Sequence, residues 1–233
     1  GATANATVAG NFVATSATGN TAGTVNISGT NGAAHTIDLS NVTGTTGYTI
    51  RGGDGNDRIV GSDFADLMDG LSGGDTLIAG HVGDSIYGGF NDDVLMSKDS
   101  VDVLTGILDG GAGTSDKLVL DDQDNISGAA VTLIEVLELD ADASVTMTLG
   151  QHEAFSTITA GGKADQITLS TAGIFTGEAA IEKYNVTATS VMTLGALTQN
   201  AEEIGTEGNS TLVFGAGAYS GTFTNFEATD VLK

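Results

Sequence analysis

The chain has 233 residues, with 30 Asp and Glu against 7 Lys and Arg, a formal charge of −23, and no cysteine, proline or tryptophan. Such acidity excludes a nucleic-acid binder, which needs clustered Lys and Arg, and the lack of cysteine excludes disulfides as the staple of the fold. No apolar run approaches the roughly 20 residues of a membrane-spanning helix, so the chain is expected to be soluble and not transmembrane. The N-terminus has no basic stretch followed by an apolar one, and a first residue other than Met fits a processed or excised piece of a longer protein.

Residues 1–51 are rich in Gly, Ala, Thr, Ser and Asn. Composition alone would suit a flexible linker. The alternation in Thr24–Val25–Asn26–Ile27–Ser28 and Thr36–Ile37–Asp38–Leu39–Ser40 predicts short strands instead, a β-rich solenoid or cap segment ahead of residue 52.

From residue 52 to 120 the chain is a repeat. Asp57, Asp66, Asp75, Asp84, Asp93 and Asp102 lie nine residues apart, and each is followed two residues later by an apolar side chain: Ile59, Met68, Leu77, Ile86, Leu95 and Leu104. Nine residues are too few for a helix pair or a propeller blade, which leaves a stacked β-solenoid with one buried residue per short strand. The unit Gly52–Gly53–Asp54–Gly55–Asn56–Asp57–Arg58–Ile59–Val60 matches G-G-x-G-x-D-x-U-x in full, and the other five are degraded copies. A further copy at Gly110–Leu118 has one extra residue before Asp116.

Strands stack about 4.8 Å apart, and carboxylates about 5 Å apart repel by roughly 1 to 3 kcal/mol at effective dielectric constants between 80 and 20. A column of aspartates therefore opposes folding unless a cation sits in it. Calcium accepts six to eight oxygens in flexible geometry, whereas magnesium holds its water and zinc or copper would want nitrogen or sulfur. An acidic stripe facing water would have no reason to keep strict phase. Sixteen of the thirty acids lie between Asp54 and Asp124, and all sixteen are the shorter carboxylate, which suits tight turns.

These residues resemble the repeats-in-toxin (RTX) family of secreted calcium-binding β-roll proteins. The resemblance implies a coil of two nonapeptides, with turns eighteen residues apart stacked on one edge and sharing calcium through turn carbonyls and aspartates. On one edge the implied ligands are Gly53, Gly55 and Asp57 with Gly70, Ser72 and Asp75, then Leu71, Gly73 and Asp75 with Gly88, Phe90 and Asp93. On the other they are Ser62, Phe64 and Asp66 with Ala79, His81 and Asp84, then Gly80, Val82 and Asp84 with Ser97, Asp99 and Asp102; Asp116 is a further candidate. About four or more calcium ions are implied. Ser62, Leu71 and Lys98 stand where a second glycine belongs, and Phe64, Val82, Asn91 and Ser100 where a fourth-position glycine belongs. The edge carrying Asp57, Asp75 and Asp93 is accordingly expected to be the better one.

Residues 121–233 carry a longer repeat. Ile134–Leu139 is echoed by Ile181–Val186, and Ser144–Gly150 by Ser190–Gly195, at an offset of about 46 to 47 residues. That period predicts two or three coils of a wider parallel β-helix. Gly161–Ile167, with Asp165, looks like a decayed turn of the same kind.

No catalytic set is legible. His152–Glu153 begins an H-E-x-x-H pattern, but Ser156 replaces the second His, and no G-x-S-x-G elbow occurs. His81 reads as an exposed turn residue and His35 as a strand-face residue. Glu202–Glu203 and Asp121–Asp122 read as solvated pairs, because neighbours along a strand point to opposite faces. The twelve Phe and Tyr form no evident platform for stacking a sugar. The expected protein is an all-β parallel β-roll or β-helix solenoid with calcium-binding nonapeptide turns, and it is not an enzyme. Thr-rich solenoid with scattered calcium turns resembles the RTX-type surface-layer proteins of Gram-negative bacteria, implying secretion to the cell surface, type I export, self-association and a possible cell-surface polysaccharide partner. Two other readings are a segment of a giant RTX adhesin and the targeting module of a secreted enzyme.

Overall fold

The structure is a computed structural model, and it describes residues 2–97, 103–162, 164–171, 173–178, 180–181 and 183–186, together with the strands Val191–Leu194, Glu203–Thr206, Thr211–Phe214, Thr222–Thr224 and Val231–Leu232. Lys98, Asp99 and Asp102 lie outside the described residues. The chain forms two compact units, Gly1–Val119 with Gly128–Val136, and Leu120–Ser127 with Leu137–Lys233. Each is a parallel β-solenoid.

In the first unit one sheet runs in the order Thr3–Val8, Thr24–Gly29, Thr49–Asp54, Leu67–Ser72, Ser85–Phe90, Ile107–Ala112, Ala130–Thr132. The opposite sheet contains Phe12–Val13, Thr36–Asp38, Arg58–Val60, Thr76–Ile78, Val94–Met96 and Lys117–Leu120. The nonapeptides alternate between the two, so eighteen residues make a coil: Ile50 pairs with Met68, Met68 with Ile86, Ile59 with Leu77 and Leu77 with Leu95. Those apolar residues fill the space between the sheets, and Ile59, Met68, Leu77, Ile86 and Leu95 are all fully buried. Each contributes roughly 1.5 to 3 kcal/mol relative to exposure. Residues 1–51 belong to the same two sheets but in longer coils, with Ile27 opposite Ile50 and Ile37 opposite Ile59. The coil lengthens again after Met96, where Leu95 meets Leu118.

The second unit departs from expectation. Ser144–Met147, Gln166–Leu169, Lys183–Val186, Glu203–Thr206 and Thr222–Thr224 make one parallel sheet. Ile174–Gly177, Val191–Leu194, Thr211–Phe214 and Val231–Leu232 make another. Registers such as Ser144 with Gln166 and Gln166 with Lys183 fix coils of 22 and 17 residues. The period of 46 to 47 residues therefore spans more than two narrow coils, and not one wide one. The strands of its two similar segments fall in different sheets, since Ser144–Met147 lies in the first and Val191–Leu194 in the second.

A short helix, Leu149–Ala154, interrupts the strands, against the all-strand expectation. It starts at a reciprocal cap, in which the Gln151 N–H donates to Thr148 Oγ1 at 3.2 Å and the Thr148 N–H to Gln151 Oε1 at 2.7 Å. The cap turns His152 inward, edge-on to Phe175 and Tyr184, where burial pushes its pKa down to about 4.

Candidate metal centre

Stacking at eighteen residues places the repeat aspartates one above another, and the backbone links them directly. On the first edge the Asp57 N–H donates to Asp75 Oδ1 at 2.7 Å, the Asp75 N–H to Asp93 Oδ1 at 2.7 Å, and the Asp93 N–H to Asp116 Oδ1 at 2.8 Å. The copy with an extra residue thus joins the column. All four side chains are at most 2% exposed.

The ladder satisfies Oδ1 of Asp75, Asp93 and Asp116, and the His35 N–H satisfies Oδ1 of Asp57. The other oxygen of each carboxylate is not satisfied: Oδ2 of Asp57, Asp75, Asp93 and Asp116 is buried with no hydrogen-bond partner. An unpaired carboxylate oxygen away from water is costly, and four in a line on one edge are costlier still.

The second edge solves the same problem internally. Tyr48 and Asp66 N–H groups donate to Oδ1 of Asp66 and Asp84 at 2.7 Å each. Asp66 Oδ2 also accepts from the Ser62 N–H at 2.6 Å and the Ser62 hydroxyl at 2.9 Å, while Asp84 Oδ2 accepts from the N–H groups of Gly80 at 2.8 Å and His81 at 3.0 Å. Ser62, which breaks the glycine pattern, is thereby the residue that satisfies Asp66.

Turn conformation separates the edges in the same way. On the first, positive φ recurs at Gly53 and Gly55, at Leu71 and Gly73, and at Gly89 and Asn91. Leu71 at 75° and Asn91 at 77° hold dihedrals that glycine adopts freely and other residues adopt at a cost. On the second, Ser62, Phe64, Gly80 and Val82 have no positive φ.

The residues whose carbonyls are implied as ligands are stacked as the repeat requires, Gly53 opposite Leu71 and Ser72 opposite Phe90. The Ser72 and Phe90 carbonyls accept from the Gly55 and Gly73 N–H groups at 2.7 and 3.2 Å, which holds the turns in register and leaves each oxygen a second lone pair. Gly70 and Gly88 line the carboxylates: a Cβ at either would collide with the Oδ2 of Asp75 or Asp93 and with a carbonyl of the next turn. Only glycine leaves this space open. Ala79 and Ser97 spend their N–H groups on the Met96 and Val119 carbonyls, and His81 sits in a turn whose Gly83 N–H donates to its Nδ1 at 3.2 Å.

These residues fit a hard cation on the first edge, where partnerless carboxylate oxygens lie beside turn carbonyls. They do not ask for one at Asp66. Among the described residues no group of three His, Cys, Asp or Glu side chains converges to hold a metal, so any ion here would depend on backbone carbonyls as well as carboxylates.

Both edges end at their N-terminal side in residues that sequence reasoning passes over. His35 is buried and not a mere strand-face residue; its N–H donates to Asp57 Oδ1 at 2.6 Å, and its Nδ1 lies 3.2 Å from the same oxygen. Tyr48 holds the equivalent place above Asp66. The spacing is legible, because His35 precedes Ile37 and Tyr48 precedes Ile50 as each repeat aspartate precedes its apolar partner. At the other end the Asp116 N–H donates to Glu135 Oε2 at 3.0 Å. In the second unit Asp165 is buried, with Oδ1 accepting from Ala143 and Oδ2 from Gly162, so the decayed turn is self-satisfied.

Burial above all, with neighbouring carboxylates adding to it, raises the pKa of Asp75 to about 6 and of Asp93 to about 7, and burial likewise raises Asp84 to about 7. A raised pKa means the metal-free fold binds protons that the unfolded chain has released, so the contribution of these carboxylates to stability is fully present below about pH 4 and is lost as pH rises through 6 to 7. The metal-free chain should therefore be more structured by circular dichroism at pH 5 than at pH 8, and added calcium should abolish that difference; greater order at pH 8 without metal would contradict the assignment.

Comparison with family models, with curated proteins and with solved structures finds no match.

Proposed function

We propose that this chain is a noncatalytic structural segment of the RTX type, folded by calcium outside a bacterial cell and assembled there into a surface layer. The reading rests on one observation, the line of buried and partnerless Oδ2 atoms at Asp57, Asp75, Asp93 and Asp116. Calcium between successive turns would supply the positive charge those oxygens lack. Asp57 to Asp116 would hold it, with carbonyls from Gly53, Gly55, Gly70, Leu71, Ser72, Gly73, Gly88 and Phe90 completing the oxygen set.

Coupling of ion binding to folding gives such a chain a use for its acidity. Cytosolic calcium is too low to neutralise the column, so the chain stays unfolded for export through a one-step exporter; the millimolar calcium outside then folds it. Folded solenoids present open sheet edges and a partly neutralised acidic surface, and calcium can bridge neighbouring copies. The parent protein should self-associate in millimolar calcium, reverse on chelation, and fail to do so with magnesium at equal ionic strength. A parent that stays monomeric at high concentration, by light scattering and negative-stain microscopy, would overturn the surface-layer reading and leave the adhesin or enzyme-module roles.

A further inference from the structure

We propose that the outer face of the seven-stranded sheet in the first unit carries a seat for a guanidinium group, the arginine side chain of a partner protein, between Tyr87 and Asp109. Outward positions on adjacent strands line up across this face. Arg51 is opposite Asp69, Asp69 opposite Tyr87, and Tyr87 opposite Asp109. Strand spacing of about 4.8 Å therefore puts a carboxylate on each side of one aromatic ring.

The two sides of the ring are not alike. On one, the chain supplies its own cation, with Arg51 Nε 3.8 Å from Asp69 Oδ2 beside a shallow groove of about 280 Å³. On the other, a groove of about 370 Å³ is lined by Tyr87, Asp109, Phe90 and Leu133 and shares Asp69 with the first, and Asp109 Oδ1 is shut from solvent with no hydrogen-bond partner. The terminal torsion of an aspartate is soft. A donor arriving in the groove could draw that oxygen out and relieve an unsatisfied carboxylate.

The shape of the groove selects the donor. Its floor beside Tyr87 and Asp109 is bare backbone at Gly89 and Gly111, both at positive φ, where a Cβ would strike the neighbouring turn. Its walls are apolar, with Phe90 64% and Leu133 60% exposed. A flat slot with an aromatic side, apolar walls and two acids, Asp69 already facing Arg51 and Asp109 without a partner, suits a planar, weakly hydrated cation that stacks on the ring, reaches Asp109 with an edge N–H, and lays its aliphatic stem along the wall. An ammonium would hold its water, and a neutral saccharide would bring no counter-charge to Asp109. Leu133 on the rim is held at positive φ outside the repeating turns, a strain that recurs at binding sites.

The seat adjoins the turns whose Leu71 and Phe90 carbonyls are assigned to calcium, so its test uses the full chain in whichever calcium condition gives a dispersed amide NMR spectrum, which separates a failure of the seat from a failure of the calcium reading. Titration with N-acetylarginine methylamide at low salt should shift the amides of Tyr87, Gly89, Asp109 and Gly111 with a dissociation constant in the low millimolar range, about tenfold tighter than the neutral citrulline analogue. Asp109→Asn and Tyr87→Leu should each weaken binding roughly tenfold while the rest of the spectrum is unchanged. Equal binding of the citrulline or lysine analogue, no shift at these amides by about 50 mM probe, or stronger perturbation by cellotetraose, which would mark a saccharide face, would overturn the proposal.

Discussion

In excess chelator near neutral pH, residues 52–118 should be largely disordered, and they should order cooperatively as calcium rises through about 0.1 to 1 mM, the range of extracellular modules. Four stacked aspartates leave three intervals on the first edge, each bounded by buried carboxylates. If each interval binds one ion with a dissociation constant near 0.1 mM, about 5 mM calcium adds roughly 2.3 kcal/mol per site and roughly 7 kcal/mol together. That is comparable to the whole stability of a typical domain. Removing the ion should therefore unfold the nonapeptide coils, and circular dichroism with hydrodynamic radius would report it. Magnesium at the same concentration should restore little, because it parts reluctantly with its water.

Asp75→Asn should raise the calcium midpoint roughly tenfold, and Asp84→Asn should move it less than twofold. Asp75 lies between two intervals, with its Oδ2 buried and partnerless and its Oδ1 accepting from the Asp57 N–H. Asparagine keeps the hydrogen bond but removes a charge that two ions would share. Asp84 already places Oδ2 on two backbone N–H groups, so it has less need of a cation. Asp57→Asn should fall between them, since Asp57 borders one interval and has His35 on its other side. Equal shifts for Asp75 and Asp84 would show that both edges bind alike, against the difference in their turns. Calorimetric titration of the three variants measures this.

The repeat region is readable because its signal is strict. A nine-residue phase with one apolar residue two places after each aspartate leaves one stacking register, and Ile59, Met68, Leu77, Ile86 and Leu95 are buried as that register requires. The glycine pattern also separates the two edges. What the pattern does not show is how the poorer edge manages without glycine, because the Ser62 hydroxyl and the Gly80 and His81 N–H groups reach Asp66 and Asp84 only through turn conformation. His35 and Tyr48 escape notice because they are chemically unlike aspartate, although they share its place before an apolar residue. In the second unit, resemblance between distant strands suggests a coil period that the pairing does not follow, since pairing is set by neighbours such as Val145 with Ile167, two buried β-branched residues in otherwise dissimilar strands. The Thr148 to Gln151 spacing is a helix-start signal hidden by its strand-like surroundings.

If cations occupy the column of Asp57, Asp75, Asp93 and Asp116, a crystal grown in millimolar calcium will show them through the calcium anomalous signal. Three anomalous peaks are expected on that edge, one in each interval between successive aspartates and within about 2.3 to 2.6 Å of their Oδ2 atoms. A folded column with no anomalous peak in that crystal, its carboxylates bridged by water or protonated, would contradict calcium binding there.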